Sequence, residues 1–212
     1  MLHQWGVFGF SNTELIMKTY IEFGAPEPDM SYVKSAKKSG YKTIVIDFEK
    51  YDFMDEEYYK LLVDETYLNY WSDPLDIPLA DSWVCFSSLE HTPYSDVHKE
   101  VEAIASKVSG PGEIGIDLTD HSGGFTHIEF PENFQGYPLT GLYLNGINYR
   151  QWIDIISKYF TFDRIDEMVC IEGKWSPVEK KNEDGTLITL GKSNISKDQV
   201  GHINFKNCEV KE

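Results

Sequence analysis

The sequence predicts an α+β fold: a mixed central sheet with helices, and antiparallel hairpins in its C-terminal half. Three observations lead there. Thr43, Ile44, Val45 and Ile46 form a continuous β-branched run, the pattern of a strand covered on both faces. Val97, Val101, Ile104 and Val108 recur at the spacing that places them on one face of a helix. Beyond Gly110, Ile114, Ile116 and Leu118 alternate with other residues, as in a strand with one buried face.

Taken in order, Trp5 to Phe10 reads as a short apolar strand. Ser11, with Glu14 three residues later, has the form of a capping box that opens a helix, and Gly24 closes it. Pro26 and Pro28 enforce an extended connection, and Asp29 or Ser31 caps a second helix ending at Gly40. Thr43 to Phe48 follows as the expected centre of the sheet. A third helix is expected from Asp55 to Trp71, with Pro74 and Pro78 breaking the chain after it. Ser82 to Phe86 is a buried strand, and Thr92 or Ser95 starts the helix of Val97 to Val108, which Gly110, Pro111 and Gly112 end.

Ile114 to Leu118 and Phe125 to Phe130, joined by a turn at His121 to Gly124, read as a β-hairpin. Leu142 to Leu144 gives a further strand, and Tyr149 to Phe160 a helix with Trp152, Ile155, Ile156 and Tyr159 inward. The tail holds strands at Met168 to Glu172, Thr186 to Leu190 and His202 to Phe205, with Asp184 and Gly185 as a hairpin turn. This organisation gives a main α+β domain over residues 1–163 and a β-rich extension over residues 164–212, packed on the same sheet.

The 212 residues carry 19 Lys plus Arg against 35 Asp plus Glu, a formal charge of −16. Nucleic acids and anionic membranes are bound by basic surface, so this balance argues against both as partners. With 41% hydrophobic residues there is ample material for a core. The first ten residues lack the positive region and long apolar stretch of an export signal, and no apolar run approaches the roughly 20 residues of a membrane helix, so a cytoplasmic location is expected. Cys85 and Cys170 lie in apolar runs and Cys208 near the polar C-terminus, an odd set that reads as reduced thiols.

Eleven acids against two lysines fall between Asp47 and Asp81, interleaved with aromatic residues. On a helical wheel, Tyr59, Val63, Tyr67 and Tyr70 share the arc opposite the core stripe. Tyrosines and tryptophans favour interface centres, and acidic flanks steer basic partners. Asp52, Asp55, Glu56, Tyr59, Val63, Asp64, Tyr67, Tyr70, Trp71 and Asp73 are therefore the candidate partner-binding residues. The other reading of this face is that Ser72 to Ala80 or the C-terminal strands cover it.

Asp117, Asp120, His121 and His127, around the Gly123-Gly124 turn, are the candidate metal or acid–base cluster. Their spacing matches no established ligand motif. The chain contains neither a G-x-G-x-x-G nor a G-x-x-x-x-G-K-[ST] phosphate loop, and no G-x-S-x-G elbow, so no cofactor is expected.

The composition resembles, loosely, the small acidic proteins that neutralise basic enzymes, such as immunity proteins of bacterial toxin systems and phage inhibitors of nucleic-acid enzymes. That resemblance implies an inhibitor of a basic protein such as a nuclease or toxin. A metal-assisted hydrolase built on the Asp117–His127 hairpin, and a structural or assembly subunit, are the alternatives.

Overall fold

The computed structural model describes residues 17–24, 30–47, 56–68, 77–118, 145–171, 174–177, 179–181, 187–189 and 200–211. Thr19–Phe23 form the first strand, β1, and all five residues are buried. The helix expected from Ser11 to Gly24 is overturned here. Thr19, Tyr20, Ile21 and Phe23 are strand formers in near succession, and a strand between two neighbours buries both sides of such a run. Gly24 caps no helix; it leads the chain out of β1 at φ 92 and donates its N–H to the Ile46 carbonyl at 2.8 Å. The expected Trp5–Phe10 strand lies outside the described residues.

Helix α1 (Ser31–Lys38) buries Val33 and Ala36 and carries Lys37 and Lys38 at its carbonyl end, where the helix dipole favours cations. Gly40, at φ 81, ends it as expected. Strand β2 (Lys42–Asp47), helix α2 (Glu56–Leu62) and strand β3 (Glu65–Leu68) come next. The single helix expected over Asp55 to Trp71 is thus two elements. Asp64 makes the break: its N–H donates to the Thr43 carbonyl at 2.9 Å, while its carboxylate accepts from the Thr43 N–H at 2.9 Å and from Lys37 Nζ at 2.5 Å. That anchors the chain beside β2, and Thr66 and Tyr67 enter a parallel ladder with Val45 and Ile46.

Strand β4 (Ser82–Phe86), a 3-10 turn at Leu89–His91, helix α3 (Val97–Ser106) and strand β5 (Gly112–Asp117) follow. Helix α4 (Tyr149–Tyr159) opens on a capping box between Asn148 and Gln151 and buries Trp152, Ile155 and Ile156. Strands β6 (Phe160–Thr161), β7 (Arg164–Ile171), β8 (Lys174–Pro177), β9 (Glu179–Lys181), β10 (Leu187–Thr189) and β11 (Val200–Val210) complete the described elements.

The main sheet has the order β3-β2-β1-β4-β5-β11-β7-β8, with β6 paired to β11. All neighbours from β3 through β5 are parallel. β11 runs antiparallel between β5 and β7, and β8 is antiparallel to β7. This corrects the fold class: the sheet is mostly parallel and flanked by helices, and β2, expected at its centre, is second from one edge. The hairpin expected from Ile114 to Phe130 is also set aside, because β5 pairs with β4 and β11, while Phe125 to Phe130 lie outside the described residues.

One face of the sheet packs Ile21, Phe23, Ile44, Ile46, Cys85, Ile114, Ile116, Ile203 and Phe205 under α3 and α4. The other packs Tyr20, Val45, Val84 and Phe86 under Val33 and Ala36 of α1. That second cover does not extend across β5 and β11, whose second-face residues Glu113, Asp117, His202, Asn204 and Lys206 are half-buried. Lys206 Nζ meets the Glu113 carboxylate there at 2.5 Å. The alternation of Ile114, Ile116 and Leu118 therefore reports one covered face, not a hairpin.

Gly110 lets β5 begin against the turn before β4, because a Cβ there would sit 1.9 Å from the Asp81 carbonyl oxygen. Gly110→Ala is expected to lose about 1–3 kcal/mol in a urea melt, since backbone must move to admit the methyl group. An unchanged midpoint would show that the Asp81 turn yields freely. Among the described residues no helix is long and apolar enough to cross a membrane.

Candidate functional site

Parallel strands all present their carboxyl ends at one edge, and a crevice opens there where strand order reverses direction. In this sheet the reversal lies between β1, which leads to β2 and β3, and β4, which leads to β5. Three acids mark that edge. Asp47 ends β2 and is 3% exposed, and Glu22, one residue from the end of β1, is also 3% exposed. Glu22 pairs in register with Val45, so Asp47 is the next residue of β2 on the same face. Glu90, in the 3-10 turn after β4, is 2% exposed.

Each carboxylate is positioned by its surroundings. Glu22 Oε2 accepts from the Tyr20 hydroxyl at 3.1 Å. Burial first, and then Glu22, push the Tyr20 phenol well above its ordinary range. Glu90 Oε1 accepts the Asp117 N–H at 3.1 Å, continuing the β4–β5 ladder past the end of β4. Its Oε2 has no hydrogen-bond partner among the described residues. Burial raises the Glu90 carboxyl from 4.5 to about 8, against the pull of backbone N–H groups. Two non-glycine residues in the left-handed region stand at this end of the strands, Met30 at φ 50 before α1 and Ser87 at φ 47 after β4. Strain of this kind is held where surrounding structure over-determines it, often at ligand clamps.

Among the described residues, Tyr59 and Tyr67, two of those expected to bind a partner, do not share one face. Tyr59 is half-buried in α2, bonds Thr66 Oγ1 at 3.0 Å and packs with the cluster under α1. Burial raises its phenol, the hydrogen bond to Thr66 works against that rise, and the charges of Asp47 and Glu22 add to it. Tyr67 stands on β3, gives its hydroxyl to Glu65 Oε2 at 2.8 Å and packs against the opposite cluster. Val63 is buried just past α2. Burial tends to raise the Asp64 carboxyl, but Lys37 and Thr43 together hold it below its ordinary value. Glu56 begins α2. Asp52, Asp55, Tyr70, Trp71 and Asp73 lie outside the described residues. Of the metal candidates, Asp117 ends β5, whereas Asp120, His121 and His127 lie outside the described residues. Among the described residues no cluster of His, Cys, Asp or Glu could hold a metal ion.

Glu22, Asp47 and Glu90 were missed from sequence because each sits within or just after an apolar run, where an acid reads as an interruption. A carboxylate closing a β-branched run, as in Thr43 to Asp47, is the signal that could have found them. A separate cavity of about 470 Å³ opens near the amino ends of β1, β4 and β5, lined in part by Tyr20, Trp83, Arg164 and Lys206. It is at the wrong end of the strands for this crevice.

No family model and no curated protein matches the chain. Solved structures do. A Clostridium acetobutylicum S-adenosylmethionine-dependent methyltransferase aligns over 93% of this chain and 85% of its own, with TM-score 0.59 and 7% identity. The Burkholderia thailandensis 1,6-didemethyltoxoflavin-N1-methyltransferase, with bound S-adenosylhomocysteine, aligns over 92% and 72%, with TM-score 0.56 and 6% identity. A Rhodobacter sphaeroides protein whose name proposes a zinc-dependent alcohol dehydrogenase aligns over 94% and 87%, with TM-score 0.55 and 11% identity.

At these identities the likeness is one of fold: a Rossmann-like, mostly parallel sheet between helices. It overturns the inhibitor and immunity-protein reading and its basic protein partner, a nuclease or toxin. That reading needed Tyr59 and Tyr67 side by side on one helix, and the sheet puts them on opposite faces.

Proposed function

We propose that the chain is a methyltransferase that binds S-adenosylmethionine across the carboxyl ends of β1, β2 and β4. The observation that carries this reading is the pair of buried carboxylates, Glu22 and Asp47, on one face at the carboxyl edge of the adjacent parallel strands β1 and β2. An acid closing the second strand is placed to accept the hydroxyls of an adenosine ribose. A second buried carboxylate suits a ligand bearing an ammonium and a sulfonium charge.

The alternative occupant of a Rossmann-like crevice is a dinucleotide, and here the sequence after Gly24 opposes it. In the sequence, Ala25, Pro26, Glu27, Pro28 and Asp29 follow β1, in the segment that carries the glycines of a dinucleotide-binding fingerprint. Two of the five have no N–H, and two are acids that repel phosphate. When bound, S-adenosylmethionine supplies an electrophilic methyl group; Glu22 and Asp47 hold and orient its carrier. The free buried thiols of Cys85 and Cys208 support placing the protein in a reducing compartment, the cytoplasm.

Titration calorimetry tests the reading. S-adenosylmethionine and S-adenosylhomocysteine are expected to bind and NAD⁺ is not. Asp47→Ala should weaken both ligands by about 10- to 100-fold, the worth of hydrogen bonds to a charged group. No heat from either ligand at millimolar concentration would reject the assignment.

A further inference from the structure

The cavity of about 470 Å³ at the amino ends of β1, β4 and β5 has the size of a small-molecule site. It opens on the second face of the sheet, where the cover given by α1 stops. Tyr32 and Ser35 of α1, with Tyr41 just beyond it, line the covered side. Arg164 of β7 and Lys206 and Asn207 of β11 line the other.

Lys206 and Arg164 are register partners, on the face opposite Phe205 and Ile165. Like charges set directly across a ladder repel, yet this chain of charge −16 holds two cations side by side here. Each meets one acid. Lys206 Nζ donates to Glu113 Oε2 at 2.5 Å, and Arg164 donates through Nε, at 2.8 Å, and Nη2 to the Asp166 carboxylate. Those bonds use one of three ammonium protons and one edge of the guanidinium, so two Lys206 protons and Arg164 Nη1 remain for another acceptor. A β-bulge between Phe205 and Cys208, with Asn207 at φ 57, also shapes this side. Regular alternation would turn either Lys206 or Asn207 to the opposite face, whereas both line the cavity.

The lining is richer in donors than in acceptors. Among the described residues Glu113 is its one carboxylate, already bonded to Lys206. Tyr20 also lines it, but gives its hydroxyl to Glu22 Oε2 at 3.1 Å. Ser35, Ser82 and Tyr41 add hydroxyls beside the two cations. Such a wall suits an anion, and the half-buried rings of Tyr32 and Tyr41 suit a flat apolar body.

We propose that this cavity is a second ligand site, for a small aromatic acid whose carboxylate is shared by Lys206 and Arg164 and whose ring lies against Tyr32 and Tyr41. An anion held between the two cations relieves their repulsion. The site lies at the opposite end of the strands from the crevice and does not rest on the methyl-transfer reading.

Proton–nitrogen NMR of the whole chain at constant ionic strength tests this with benzoate as the probe. Benzamide, of the same shape without the charge, and acetate, the charge without the ring, are the controls. Benzoate is expected to shift the Ser82 and Gly112 amides and the Arg164 Nε–H saturably, with a dissociation constant on the order of 1 mM. Both controls should bind at least about 10-fold more weakly, and Arg164→Gln should weaken benzoate by about 10-fold, the worth of a charge-assisted hydrogen bond. Arg164 has a largely exposed side chain, so the variant is expected to fold, which its own spectrum checks.

No saturable shift at these residues with tens of millimolar benzoate would overturn the proposal. Equal affinity for benzoate and benzamide would overturn the role of the two cations, and equal affinity for benzoate and acetate that of the rings. An unchanged benzoate affinity in folded Arg164→Gln would also overturn it.

Discussion

Trp83→Ala is expected to cost about 3–5 kcal/mol, the range for removing a fully buried aromatic side chain from a core. Trp83 is 1% exposed on β4. Its ring meets Phe23 of β1 edge-on at 6.2 Å and Phe160, just past α4, at 5.2 Å. Its Nε1–H donates to the Gly110 carbonyl at 2.9 Å. Gly112 leaves it room, since a Cβ there would lie 2.2 Å from the indole. One side chain thus ties β1, β4, the start of β5 and the end of α4. For a chain of this size each kcal/mol moves the melting temperature by about 2–4 °C, so a loss of roughly 10 °C is expected. Trp83→Phe keeps the ring contacts and drops the hydrogen bond, and should fall between the two. A melting temperature within 2 °C of wild type for Trp83→Ala would contradict the packing described.

The second large effect is on stability against pH. Glu90 titrates near 4.5 when unfolded and at about 8 in the fold, because burial disfavours its charged form. The folded state therefore binds the proton more tightly. Its contribution is complete below pH 4.5 and is lost as pH rises through 8. The loss is on the order of 3–5 kcal/mol across that window, about 1.4 per pH unit between the two values. Glu90→Gln removes the titrating proton while keeping an oxygen for the Asp117 N–H, so its stability should vary much less with pH. Glu100 is also raised by burial, so the variant keeps a smaller slope of the same sign. Parallel slopes for wild type and Glu90→Gln would show that Glu90 is solvated in the folded protein.

What sequence made legible was decided by burial. Ser82 to Phe86, and the helix opening at Tyr149, were readable because each is local: a short apolar run in one case, an apolar stripe at helical spacing in the other. β1 was unreadable because Ser11 and Glu14 resemble a helix start, and nothing nearby shows that Thr19 to Phe23 will be enclosed by β2 and β4. β3 was absorbed into a helix because the break depends on Asp64 reaching Thr43, a contact across 21 residues.

Strand direction was hidden for a different reason. Alternation at Ile114 and Ile116 records which face is covered, and both a parallel and an antiparallel neighbour permit it. The crevice acids were overlooked because charge was weighed by density along the chain. Asp47 was counted with the acidic stretch that follows it, although it belongs to the strand before.

The place of β11 has a consequence for synthesis. It is the last described strand to leave the ribosome, yet it is inserted between β5 and β7. Before residues 200–210 emerge, β5 is a bare margin and β7 is paired only with β8. At roughly 5–20 residues per second, the chain made after Asp117 leaves that margin open for several seconds. Ile114 and Ile116 then lie along a strand paired to β4 on one side only, a template for association between nascent chains. Chaperoning during translation should matter more to the yield of this protein than to one whose final strand takes an outer position.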